Sequence, residues 1–137
     1  MNRATPKLRT YADRLVADEM SRNASSTSKT PTAFVVIETL RQQFGALMGV
    51  AGFRALLSRT LLLATAEVSW LRGLNVSEEG SIQGLSELEA QANPEEIADG
   101  GIILLSRLLG LLMTLIGEDL TLVLLSNAND LKLSQED

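Results

Sequence analysis

The stretch Gly101-Ile102-Ile103-Leu104-Leu105-Ser106-Arg107-Leu108-Leu109-Gly110-Leu111-Leu112-Met113-Thr114-Leu115-Ile116-Gly117-Glu118 decides how this chain is read. From Gly100 to Gly117 the hydropathy is that of a candidate membrane span. Arg107 near its middle and Glu118-Asp119 at its end argue otherwise. The apolar runs on either side of the arginine are far shorter than the roughly 20 residues a bilayer crossing requires. The stretch therefore reads as a core helix of an all-α protein, and a membrane is not the expected partner.

Turned at about 100° per residue, Ile103, Arg107, Gly110, Thr114, Gly117, Glu118 and Thr121 form a narrow stripe of mostly small or polar groups on an otherwise apolar helix. Such a helix is buried on several sides, in the middle of the domain or in the seam of an oligomer. Gly110, Thr114 and Gly117 are the candidate seam, because glycines permit close approach of a second helix. Tight packing within one chain accounts for them equally well.

Working back from this segment, Asn93-Pro94-Glu95-Glu96 carries a cap, a first-turn proline and acids at the positive end of the helix dipole. Gly100-Gly101 is expected to break that helix after one or two turns, so the core helix spans about residues 101–126. Ser86-Glu87-Leu88-Glu89 has capping-box spacing and predicts a short helix over 86–92. Between Leu74 and Gly84, β-branched residues flank an acidic glycine turn, which fits a loop or a tiny hairpin.

A second long helix is predicted over about 53–72, ended by Gly73, with Phe53, Leu57, Ala64, Val68 and Leu71 on its apolar face. Thr30-Pro31 starts the helix before it, where Phe34, Ile37, Leu40, Phe44 and Leu47 make one stripe. Gly49-Val50-Ala51-Gly52 is the expected turn between the two. The glycines of 45–52 follow no strand and precede no Lys-Ser or Lys-Thr pair, so they read as a helix end rather than a phosphate loop.

The predicted organisation is one domain forming a helical bundle of about five helices. An amphipathic N-terminal helix occupies 1–22, a flexible Ser/Thr/Asn-rich linker 23–31, the bundle core 32–126 and a frayed tail 127–137. The opening residues lack an apolar signal core, and Asn23-Ala24-Ser25 and Asn75-Val76-Ser77 read as accidental glycosylation tripeptides, so a cytoplasmic location is expected.

Composition narrows the chemistry. The 137 residues include neither Cys nor His. That removes disulfides, thiolate nucleophiles, the Ser-His-Asp arrangement and the usual zinc, copper and haem ligand sets. No metal and no cofactor is expected. The net charge of −5 divides unevenly: residues 1–72 carry ten basic and five acidic side chains, residues 73–137 two and twelve. Halves of opposite sign attract, within a chain or between antiparallel subunits. Nucleic acid is not an expected partner, because the N-terminal basic residues are interleaved with Asp13, Asp18 and Glu19 and the chain has one Trp and one Tyr to stack bases.

Glu67, Arg107 and Asp119 are the charged groups placed against apolar helix faces, and as such are the candidate buried polar residues or ligand anchors. Opposite pairing, Glu67 with Arg107 and Asp119 with Arg54 or Arg59, is the simplest way to bury them. The reading that follows is a small non-enzymatic helical protein acting through protein association, as an adaptor, accessory or immunity-type protein, expected as a homodimer with a possible further protein partner. The alternative is a binding module for an apolar small molecule or lipid lodged between the long helices.

Overall fold

A computed structural model describes residues 6–22, 32–123 and 125, with side chains placed for 8–20, 32–123 and 125. The expected linker 23–31, the Thr30-Pro31 cap and the tail 127–137 lie outside these residues. The fold is the expected all-α bundle. It comprises α1 (Pro6–Arg22), α2 (Thr32–Met48), α3 (Val50–Glu67), α4 (Leu85–Glu89), α5 (Pro94–Ile116) and a further helical segment α6 (residues 118–123). A two-residue antiparallel hairpin, β1 (Asn75–Val76) and β2 (Ile82–Gln83), fills the region read as loop or hairpin.

The core forms around α5, which packs on α1, α2 and α3. Leu104, Leu105, Leu108, Leu109 and Leu112 are fully buried there, against Ile37, Leu40, Phe44, Phe53 and Leu57 of α2 and α3. Over its most apolar 18 residues α5 has a mean hydropathy of 1.7, and 56% of that window is buried within the protein. Such a helix is long and apolar enough to span a membrane by composition, yet most of its apolar surface is already covered by neighbouring helices.

Helix limits differ from the expectation at three places, each with a local cause. Gly100-Gly101 does not break α5, which starts at Asn93 as its capping signals require: the Asn93 side chain accepts from the Glu95 amide at 2.8 Å. Both glycines instead let other elements approach. A methyl at Gly100 would run into the Trp70 ring, and one at Gly101 would stand 2.8 Å from Phe34 Cε2 and 3.0 Å from Ala33 Cβ. The predicted helix 53–72 starts earlier, at Val50, and stops at Glu67. There the backbone extends at Val68 (φ −129°, ψ 98°) and continues as a 3-10 turn, Ser69–Gly73, which buries Leu71 and lays Trp70 on Gly100. The predicted helix 101–126 is interrupted at Gly117.

The four-residue turn expected at 49–52 is a single residue, Gly49. The Ser86 capping box is not formed either. Gly84, in the left-handed conformation at φ 96°, precedes α4, and a Cβ there would stand 2.6 Å from the Gly73 carbonyl. That contact excludes any other residue at 84 more firmly than a serine cap could favour a start at 86.

Candidate functional site

Of the three charged anchors read from the sequence, two meet. Arg107, on the middle of α5, is 7% exposed, and Glu67, the last residue of α3, 21%. Arg107 Nε donates to Glu67 Oε2 at 3.2 Å, and Nη2 lies 3.1 Å from the same oxygen. Nη2 is too far off line for a hydrogen bond and, among the described residues, has no hydrogen-bond partner. Its contribution is therefore charge attraction alone, and one carboxylate oxygen carries the contact. The pair neutralises the charge at the core edge and locks the end of α3 to the middle of α5.

Asp119 is not part of this cluster. It is exposed on α6, as are Arg54 and Arg59 on α3, and none of the three makes an ion pair among the described residues. The expectation of a buried Asp119 projected an unbroken helix through Gly117; the break turns the following residues onto a new axis.

The proposed seam is divided in the same way. Gly110 does allow a close approach, but the visitor is Leu8 of α1 in the same chain, whose Cδ1 would stand 2.9 Å from an added Cβ. The first helix docks in cis, supported by Arg9 Nη2 on Asp99 Oδ1 at 2.6 Å and Tyr11 Oη on Glu118 Oε2 at 3.4 Å. Thr114 is exposed and donates to the Gly110 carbonyl at 2.9 Å, and Gly117 is exposed, with no described atom within 4 Å of where a Cβ would stand.

The buried hydroxyls are committed to their own helices. Thr60, Ser106 and Thr121 donate to the carbonyls of Leu56, Ile102 and Gly117 at 2.8 Å each. These bonds satisfy the side chains internally. Glu19 of α1, which the sequence offers only as one of the acids interleaved with the N-terminal basic residues, is 2% exposed; its place one turn beyond Leu15 and Val16, on the face that docks, is the signal that was available. No three of His, Cys, Asp and Glu come together as metal ligands among the described residues.

What the sequence did not reveal is the arrangement at one end of the bundle. Gly49 (φ 84°, ψ 156°) and Gly117 (φ 92°, ψ 153°) adopt the same conformation, open only to glycine. The bonding repeats too: the Gly49 amide donates to Gly45 O and its carbonyl accepts from Phe53 N, as Gly117 does with Met113 O and Thr121 N. Burial follows the same register. Ile37, Leu40, Phe44, Phe53 and Leu57 are buried, and so, each 68 positions later, are Leu105, Leu108, Leu112, Thr121 and Leu125.

Both breaks lie at the same end. Ala33 and Phe34 meet Gly101, and each glycine break follows about 16 residues further along its helix, or about 24 Å of rise. The two helices run the same way, since α3 returns from Gly49 to place Glu67 on Arg107 and Trp70 on Gly100. Around these breaks Leu47, Val50, Leu115, Leu120 and Val123 are exposed by 60%, 53%, 64%, 47% and 53%. Leu47 belongs to the stripe read as core-facing, yet the helix ends before anything covers it. In the comparisons with known proteins, no family model, curated protein or solved structure matches this chain.

Proposed function

We propose that this protein works through protein–protein association, as a small non-enzymatic adaptor, accessory or immunity-type factor. The observation that carries the reading is the apolar end at Gly49 and Gly117. Scattered surface leucines are ordinary, but five large aliphatic side chains grouped around two helix breaks form a surface of the kind that partners cover. The charged pair in the core already neutralises itself, although Arg107 Nη2 keeps no hydrogen bond among the described residues, and it is better suited to fixing helix register than to meeting a ligand.

A second reading, capture of an apolar small molecule, has one observation in its favour: a hollow of about 210 Å³ lined by Gln43, Phe44, Ala46 and Leu47. Glu67 and Arg107, the polar anchors expected for such a ligand, do not line it.

A photoreactive amino acid placed at Leu115 and activated in cells of the native host tests the association reading. It predicts discrete protein adducts at that position. Adducts to lipid alone, or none, would contradict it, and a metabolite retained through native mass spectrometry would favour the second reading.

A further inference from the structure

We infer that the apolar end formed by the two glycine breaks is a self-association surface, and that its occupant is the same end of a second copy of this chain. The inference rests on the association reading above and names the partner.

The two break regions repeat one another in sequence. Residues 37–58 and 105–126 share Leu40/Leu108, Leu47/Leu115, Gly49/Gly117, Leu56/Leu124, Leu57/Leu125 and Ser58/Ser126 at a constant offset, and the five positions buried in the first segment are buried at the same offset in the second. The end therefore presents two lobes of similar make, α2–α3 and α5–α6, each with a leucine two residues before its break. A two-fold contact between copies can set leucine against leucine whichever lobe faces which.

Charge then selects between those registers. The α3 side of the end carries Arg54 and, further along, Arg59, both exposed and without an ion-pair partner among the described residues. Directly after the other break, Asp119 is exposed and equally unpaired, beside Glu118. Setting like lobes together would oppose Asp119 to its own copy. Setting unlike lobes together brings Arg54 of each copy toward Asp119 of the other, twice by symmetry, over a shared apolar centre. The strong difference in charge between the two halves of the sequence is thereby used between molecules. A Cβ on Gly80 would stand 3.7 Å from the Phe53 ring and 3.8 Å from the Arg54 amide nitrogen, so the hairpin turn that carries Glu78 and Glu79 lies beside the start of α3. The experiment must separate their effect from that of a second copy.

Sedimentation equilibrium of the full chain does so, using Leu115→Asp, Arg54→Glu, Asp119→Lys and the Arg54→Glu/Asp119→Lys double variant. Leu62→Asp serves as control, since Leu62 is 70% exposed beside Ser58, Thr65 and Arg72, away from the breaks. All altered side chains are exposed, and unchanged helical circular dichroism verifies folding. The wild type and the Leu62 control are expected to sediment as dimers and Leu115→Asp as a monomer. Each single charge reversal is expected to weaken the dimer about tenfold, with the double reversal restoring it. If Arg54 serves only Glu78 or Glu79, the double reversal will not restore the dimer, which overturns the chosen register. A wild type that stays monomeric at high concentration overturns self-association while leaving a foreign protein partner open to the cross-linking test. A dimer indifferent to Leu115→Asp and to both reversals overturns this surface.

Discussion

Arg107 in the middle of α5 and Glu67 at the last residue of α3 share one carboxylate oxygen, with Nε at 3.2 Å and Nη2 at 3.1 Å. Removing the acid leaves a guanidinium that is 7% exposed with no counter-charge. Glu67→Ala is therefore expected to cost on the order of 3 kcal/mol in urea-induced unfolding, because an unpaired buried charge is worse than no charge. The double variant Glu67→Met/Arg107→Met, which removes both charges and keeps the volume, is expected to recover most of that loss.

The two break glycines have open space around them and a backbone that other residues avoid. Gly49→Ala and Gly117→Ala are each expected to cost about 1–3 kcal/mol from conformation alone, with no clash to relieve. Gly45 is equally uncrowded, but it lies inside α2 without positive φ, so Gly45→Ala is expected to stabilise by up to about 1 kcal/mol. Thermal unfolding of the three variants gives the sign directly.

Trp70 offers a spectroscopic handle, being the single tryptophan in the chain. Gly100→Ala places a methyl where the indole lies, and the α5 backbone cannot yield as easily as the 3-10 turn that carries the ring. The expected result is a red-shifted Trp70 emission, as the ring is pushed toward water, with a loss of about 1–3 kcal/mol.

The Arg9–Asp99 pair, despite its 2.6 Å separation, is 45% and 58% exposed. Arg9→Ala is expected to change stability by less than about 1 kcal/mol, with the difference vanishing in high salt. Denaturant titration at low and high ionic strength measures both.

Much of the bundle was legible from periodicity and caps. Asn93-Pro94 marked the start of α5 because those residue types satisfy free amides wherever they occur, and the apolar spacing around Arg107 and Glu67 was enough to pair them. The misreadings came from glycine. Local sequence reads Gly100-Gly101 as a breaker, whereas Trp70 and Phe34 occupy the space their missing side chains leave; it reads Gly117 as a packing residue, whereas Gly117 breaks the helix. A glycine inside an apolar helix serves either end, and only the neighbour across the groove decides. Projecting α5 unbroken through Gly117 then placed Asp119 in the core. The repeated apolar register around the two breaks was available to a comparison of the chain with itself, but few identities support it and the buried aliphatics interchange freely.

Amide hydrogen exchange at increasing protein concentration reads the glycine end itself. The first-turn amides after each break, at Val50–Gly52 and Glu118–Leu120, have no carbonyl within their own helix to bind and should exchange quickly in the separated chain. If the glycine end is where molecules meet, protection will rise with concentration at both segments together while α4 and the Ser69–Gly73 turn, at the other end of the bundle, remain unchanged. Exchange there that is independent of concentration, or protection that grows elsewhere on the surface, would contradict the account.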